Sequence, residues 1–203
     1  MNHLKIINSI HEIHPCHLEN GCIIPFSFYK NEFIFLFGRE SKEIKTENKG
    51  LWKEFNSKNN KTLDDIIKEF WQQTNGFFNS PQIIKEYIES NSQNLLIIFS
   101  PSYNGIIIFI PIKYCENIEK YFNNTYQFIK HILDNKKEII KCKKRGLLSK
   151  DNIQWFNIND FNKLSKKFTK SSKDILNIIN DFFQPNIDII TDTQIPPYSQ
   201  YVT

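Results

Sequence analysis

No run of apolar residues in this chain approaches the ~20 residues that a membrane-spanning helix needs. The longest candidates, NLLIIFS at 94–100 and GIIIFIPI at 105–112, are strand-sized. The N-terminus carries no signal-peptide pattern. Cysteine is sparse: Cys16, Cys22, Cys115 and Cys142 are scattered and form no CxxC pair, which argues against a disulfide framework and suits free thiols in a reducing compartment. Methionine occurs once, and the enrichment in Asn, Ile and Lys is the bias of A+T-rich coding, which carries no chemistry. These absences lead us to expect a soluble cytoplasmic protein with no membrane partner and no cofactor.

Aromatic residues are what the chain has in quantity: 18 Phe, 8 Tyr and 3 Trp, or 14% of 203 residues. That length supports one domain with a sizeable core. Most of the Phe belong in such a core, while an exposed ring marks a site for bases or partners. The net charge is +4, with lysine gathered in DNKKEIIKCKKRG (134–146) and KKFTKSSK (166–173). Such runs hold phosphates by Coulomb attraction, or are simply solvated faces.

The pattern of apolar residues divides the chain into recognisable pieces. GCIIPFSFY (21–29) and EFIFLFG (32–38) read as two strands joined at Lys30-Asn31, a hairpin. Thr62-Leu63-Asp64-Asp65 opens a helix over 63–74, with Leu63, Ile66, Ile67 and Phe70 as its apolar stripe and Gly76 as its stop. A second hairpin spans 94–100 and 105–112 through Pro101-Ser102-Tyr103-Asn104; its near-continuous apolarity implies a sheet covered on both faces. A helix over 117–133, a strand over 152–158, a helix over 159–168 and an amphipathic helix over 171–183 follow. The fold class is therefore α/β (α+β), a mixed sheet sandwiched between helices. Residues 1–20 form a lead-in, 21–183 the domain and 184–203 a poorly ordered tail.

HEIHPCHLENGC gathers His11, His14, Cys16, His17 and Cys22, all zinc-ligating types. The spacing matches no common finger, and HEIH is one residue short of HExxH, so no metal is expected there.

Several stretches together resemble the Nudix superfamily, particularly the Nudix-like, decapping-related proteins of large DNA viruses. GCIIPFSFYKNEFIFLFGRES is similar to the opening hairpin, LWKEF (51–55) to the W-x-x-F that leads into the Nudix box, and KEFWQQTNGFF (68–78) to its R-E-F-x-E-E-T-x-G core. KYFNNTYQFIK and GLLSKDNIQWFNINDF resemble later motifs, so the likeness covers most of 20–183. In that family the box, G-x5-E-x7-R-E-x-x-E-E-x-G, places carboxylates that bind Mg²⁺ and activate water against a diphosphate. Here Lys68 stands for the Arg, Glu69 remains, Gln72 and Gln73 replace two glutamates, and Gly76 is kept. FNSKNNK replaces the glycine-rich turn, about three residues short, and the upstream Glu is missing.

At about 100° per residue, Glu69, Gln72 and Gln73 share one arc opposite the apolar stripe. A Gln amide offers a neutral carbonyl and two donors where a carboxylate offers charge. Read this way, the helix is a structural floor without catalytic residues, and the loss of negative charge favours an anionic ligand. The resemblance then implies a noncatalytic binder of RNA, foremost the mRNA 5′ cap, that regulates translation or transcript stability. Trp52, Phe55, Tyr103 and Trp155 are the candidate stacking residues. Arg39 and Lys42 are candidate phosphate contacts, while Phe26 and Phe28 are expected in the core. The alternatives are an adaptor that docks partners through its TQIPPYSQYVT tail, and a residual decapping hydrolase.

Overall fold

The computed structural model describes residues 5–7, 19–43, 47–58, 62–133 and 146–183. His11, His14, Cys16 and His17 of the zinc-ligating types weighed above, most of the 134–146 lysine run and the 184–203 tail lie outside these residues. Among the described residues the chain builds an eight-stranded mixed sheet and five α-helices. The strands are β1 (Lys5–Ile6), β2 (Asn20–Tyr29), β3 (Glu32–Glu40), β4 (Trp52–Lys53), β5 (Phe55–Lys58), β6 (Leu96–Ser100), β7 (Gly105–Pro111) and β8 (Lys150–Asn157). The helices are α1 (Leu63–Gln73), α2 (Pro81–Ser90), α3 (Ile118–Ile132), α4 (Ile158–Lys163) and α5 (Ser172–Phe183).

The sheet runs β1-β6-β7-β2-β3-β4, with β5 also on β2 and β8 on β3. Its organising feature is a fork. β2 and β3 pair as an antiparallel hairpin only from Phe26↔Phe35 to Tyr29↔Glu32, around a turn whose Lys30 and Asn31 both have positive φ (50° and 63°). This is the primed turn whose twist matches paired strands. Beyond Phe26 the two strands diverge, and the segment 52–58 enters the gap. Its first part pairs with β3 (Gly38↔Lys53, Arg39↔Trp52), and its second pairs with β2 (Ile23↔Phe55, Asn20↔Lys58). One short stretch thus satisfies backbone groups on both prongs.

Alternation along the strands feeds two cores. Ile23, Leu36, Phe55, Ile97, Ile106, Ile108 and Ile153 face α1, α2 and α3, which bury Ile66, Ile67, Phe70, Ile84, Ile88, Phe122 and Tyr126 against them. On the other face, Phe26, Phe35, Phe37, Phe109 and Phe156 meet Phe161 of α4, Phe168, and Phe183 of α5. Phe183 lies edge-on to Phe35 at 4.8 Å and to Phe26 at 5.6 Å between ring centroids. The abundance of Phe is thus mostly core. Edge-to-face pairs of this kind stabilise by about 0.5–1.5 kcal/mol each beyond area burial.

Helix ends follow local chemistry. Thr62 accepts from the Asp65 N–H (3.2 Å) at the start of α1, Ser80 followed by Pro81 opens α2, and Asn157 with Asp160 forms a reciprocal capping box on α4. α1 stops where Asn75 and Gly76 take positive φ (54° and 72°).

Four expectations need correction. The helix expected over 159–168 is only Ile158–Lys163, followed by a 3-10 turn at Ser165–Lys167. α2 was not foreseen. Lys5–Ile6 pairs with Phe99 and Ile98 at the sheet edge, so part of the expected lead-in belongs to the sheet. Phe28, expected in the core, is 44% exposed: it is the last residue but one of β2, beside the turn, and meets the Phe33 ring at 5.1 Å.

β2 and β7 run parallel and very close at Asn20↔Gly105, where a Cβ on residue 105 would overlap the Asn20 carbonyl oxygen. Because the obstacle is backbone, Gly105→Ala is expected to lower stability by at least about 1–3 kcal/mol. An unchanged urea midpoint would refute so tight an approach.

Candidate functional site

The site to be tested is the polar face of α1 and what surrounds it. Ile66, Ile67 and Phe70 anchor the helix in the core, which turns Glu69, Gln72 and Gln73 toward the 146–149 loop and β5. These three side chains are differently employed. Gln73 is buried, and its Nε2 donates to the Asn56 carbonyl at 2.5 Å, while its Oε1 has no partner. Gln72 lies under Gly146, whose φ of +87° lets the loop pass so close that a Cβ there would sit 2.8 Å from Gln72 Oε1. Glu69 is half-buried beside them, and Lys68 points to solvent. The next turn adds another tie: Asn75 Oδ1 accepts the Leu148 N–H at 2.8 Å.

Burial raises the Glu69 carboxyl above its ordinary range, opposed by the Gln73 amide and the Lys68 ammonium and aided by Asp65. No second carboxylate joins Glu69 from the two glutamine positions. Among the described residues, no group of three or more His, Cys, Asp or Glu side chains is placed to hold a metal ion. Cys22, the one residue of the HEIHPCHLENGC cluster of zinc-ligating types within them, is fully buried in β2.

The segment in the fork carries two further polar groups into the interior, one on each sheet face. On the α1 side, Lys53 is buried near Lys150, whose Nζ pairs with Glu40 Oε1 at 2.7 Å while its stem crosses Gly38. Burial lowers the Lys150 pKa, and Glu40 opposes the shift. On the α5 side, Glu54 is fully buried at the start of α5 and accepts the Ser172 hydroxyl at 2.5 Å. The positive helix end favours a carboxylate there. Its Oε1 and the Tyr103 hydroxyl lack protein partners. Burial pushes up both the Cys22 thiol and the Tyr103 phenol, and the Glu54 charge adds to each.

Three of the four rings expected to stack on bases are core residues. Trp52 is 7% exposed, edge-on to Phe156 at 5.0 Å and covered by the Arg39 guanidinium at 5.8 Å. Phe55 is buried against Phe70, and Tyr103 turns its ring inward from the hairpin tip rather than outward. The apolar environment of the sheet face outweighs their sequence position. Trp155 alone is half-buried, its indole N–H donating to the Cys115 carbonyl (3.2 Å) and its ring 6.0 Å from Tyr114. Arg39 and Lys42 do come together, but on Asp151: Arg39 Nε meets Oδ1 at 2.7 Å, and the Lys42 backbone N–H meets Oδ2 at 3.0 Å. That carboxylate already neutralises the Arg39 charge meant for phosphate; the Lys42 side chain remains exposed.

Tyr29, Tyr114 and Lys30 were not singled out as site residues. Tyr29 stacks on Tyr114 (3.8 Å between centroids, 20° between planes), with Lys30 Nζ 5.2 Å from the Tyr29 ring. Strand alternation separates Tyr29 from Phe28, but only the fold brings position 114 beside it. α3 also carries an exposed stripe, Tyr121, Phe128 and Ile132. A shallow depression near its start is lined by Glu116, Glu119 and Lys120 among asparagines, a poor setting for phosphate.

Comparisons of the chain with protein-family models, curated proteins and solved structures found no match.

Two outcomes follow from this geometry. Gln73→Glu sets a carboxylate oxygen against the Asn56 carbonyl in a buried site, and should cost at least about 2 kcal/mol at pH 7, less in acid as the carboxyl regains a proton to donate. Equal urea stability of the two proteins at pH 7 would contradict the clamp. For Glu69 the raised folded pKa means that its favourable contribution is complete below about pH 4 and is lost as pH rises through the folded value. Glu69→Gln should therefore be more stable than the parent at pH 7, with the gap closing below about pH 4; a gap independent of pH would count against this assignment.

Proposed function

We propose that this chain is a catalytically inactive Nudix-like protein that binds RNA, with the methylated 5′ cap of messenger RNA as the first ligand to test. Its task in this reading is to regulate translation or transcript stability in the cytoplasm, that of the host cell if the chain is viral. The observation that carries the inactive half of the proposal is the Gln73–Asn56 hydrogen bond, which uses the box position as a clamp between α1 and β5. Two neighbouring carboxylates in that place would repel each other and the Asn56 carbonyl without a cation to bridge them. The amide meets the carbonyl directly, so the helix keeps its seat with no ion.

The binding half rests on the aromatic and basic content that remains at the surface. Trp155 is the expected stacking residue that keeps an open edge, and Lys42 the expected phosphate contact with a solvent-facing side chain. A second reading, a platform for protein partners, is favoured by the apolar stripe of Tyr121 (51% exposed), Phe128 (66%) and Ile132 (62%) on α3. Among the described residues no helix is long and apolar enough to cross a membrane.

Calorimetric titration with a methylated cap analogue, its unmethylated form and a short uncapped RNA, each with and without Mg²⁺, separates these readings. The expected result is saturable binding that is indifferent to Mg²⁺ and tighter for the methylated, cationic base. Metal-dependent turnover of capped RNA would overturn the inactive assignment. Absence of binding to all three would remove the RNA reading and leave the α3 platform.

A further inference from the structure

The hairpin that closes the fork ends in a ring column that the fold assembles from two distant segments. Tyr29 is the last residue of β2, and Tyr114 comes from the link between β7 and α3. Their planes lie within 20° of parallel, and the 3.8 Å between centroids means nearly full overlap. Trp155 of β8 lies 6.0 Å from Tyr114, its ring tilted by 44°, and its bond to the Cys115 carbonyl holds the 112–117 link against the sheet. The inner end of the column is therefore anchored in protein. Tyr29 is 37% exposed, and the Lys30 ammonium lies 5.2 Å from its ring centroid. Lys30 is exposed in the first position of the tight turn, where its positive φ of 50° is set by the hairpin rather than by the side chain.

We infer that the outer face of Tyr29 is a stacking site for a nucleobase of single-stranded RNA, with Tyr114 and Trp155 as its backing and Lys30 as the contact for the adjoining phosphate. This inference rests on the RNA reading above and moves its stacking site from the buried Trp52, Phe55 and Tyr103 to the hairpin end. A flat base extends the Tyr29–Tyr114 column by one layer. Lys30, on a flexible stem, exchanges the ring for a phosphate oxygen. Charge alone does not draw the ligand. Glu32, which accepts from the Asn157 amide at 2.9 Å, and Glu116 near Tyr114 set carboxylates close to the rings and oppose the charge of Lys30. Stacking supplies most of the affinity, and the Lys30–phosphate contact adds a salt slope of about one. The same balance of polar groups around the rings disfavours a protein partner, whose docking patch would need a broader apolar centre.

This site is distinct from the α1 face. Glu40 and Lys150 mark the α1 end of β3, while Tyr29 pairs with Glu32 at the other end. At ~3.3 Å per residue the two ends of β3 lie about 25 Å apart.

The experiment uses the full chain and a fluorescein-labelled, uncapped ten-nucleotide RNA, followed by anisotropy, with an abasic strand of the same length as the probe without bases. Tyr29→Ala and Tyr114→Ala should each weaken the RNA by about five- to a hundredfold, the range expected for loss of one base–ring stack. Tyr29→Phe should bind like the parent, and Lys30→Ala should lower the salt slope by about one. Gln127→Ala, at an exposed position of α3, serves as the surface control, and thermal unfolding checks that each variant is folded. The abasic strand should bind the parent and Tyr29→Ala alike. If the parent binds RNA and folded Tyr29→Ala and Tyr114→Ala stay within twofold of it, the stacking site is wrong and the RNA reading survives. If Tyr29→Ala changes the molecular mass in light scattering while RNA affinity stays fixed, the ledge is a protein interface and the inference is overturned. If the parent binds no RNA, both fall.

Discussion

The fork between β2 and β3 is the constraint on which the rest of this molecule depends. Two strands that separate inside a sheet expose a row of N–H and C=O groups on each inner edge, and burying them unpaired would be prohibitive. The segment 52–58 answers both edges in sequence, first β3 and then β2, with Glu54 at the crossover. Because this segment leads toward α1, the fork also fixes where that helix begins and which face it presents. The hydrogen bond from Gln73 back to Asn56 closes the loop between helix and wedge. On the opposite face of the sheet, Glu54 ties the same wedge to α5 through Ser172. One short strand therefore holds both helix layers.

The polar groups carried into the interior by the wedge are divided by the sheet. Lys53, Lys150 and Glu40 lie on the α1 side, and Glu54 lies with Cys22 and Tyr103 on the α5 side. On one side the Lys150 ammonium is paired with the Glu40 carboxylate, and on the other the Glu54 carboxylate sits at a helix N-terminus. A glutamine at 73 fits this arrangement because it adds a donor and no charge. Glu69 is the exception, a half-buried carboxyl raised by its surroundings, and it gains no cationic partner from the wedge.

Much of the architecture was legible because it depends on local pattern. The Lys30-Asn31 turn, the Thr62 cap, the Ile66-Ile67-Phe70 stripe and the stop at Gly76 are set by residues near one another in sequence, and each stands where periodicity and turn chemistry placed it. The apolar run of 105–112 implied two covered faces, and two cores are found there. Long-range features were not legible. Nothing in LWKEF says that its strand pairs with two different neighbours, and so nothing shows that Trp52 and Phe55 are sealed on opposite faces of a fork. Tyr103 looked like a hairpin tip, but the Ser100 hydroxyl accepts its N–H at 3.3 Å and the ring folds back toward Cys22. Arg39 looked like a free phosphate contact because Asp151, more than a hundred residues away, was not visible beside it.

The two ends of the central hairpin have consequently different capacities. At the fork end, the polar face of α1 is spanned by side-chain-to-backbone bonds, from Gln73 to Asn56 and from Leu148 to Asn75, and the Gly146 loop lies directly on Gln72. A ligand entering there must break bonds that hold the helix to the sheet, so its binding energy is spent on opening the fold before any contact is made. At the turn end, the strands outrun the helix layers and leave Phe28 and Tyr29 at the surface on opposite faces. Only one of these rings is backed by another in parallel, and only that one has a cation resting on its open side. Recognition of a flat ring at this end requires Lys30 to leave the Tyr29 ring, a surface contact and not a tie between helix and sheet. A scaffold whose α1 face is closed by its own clamps can thus still present a binding surface, provided that the surface lies where the clamps do not reach.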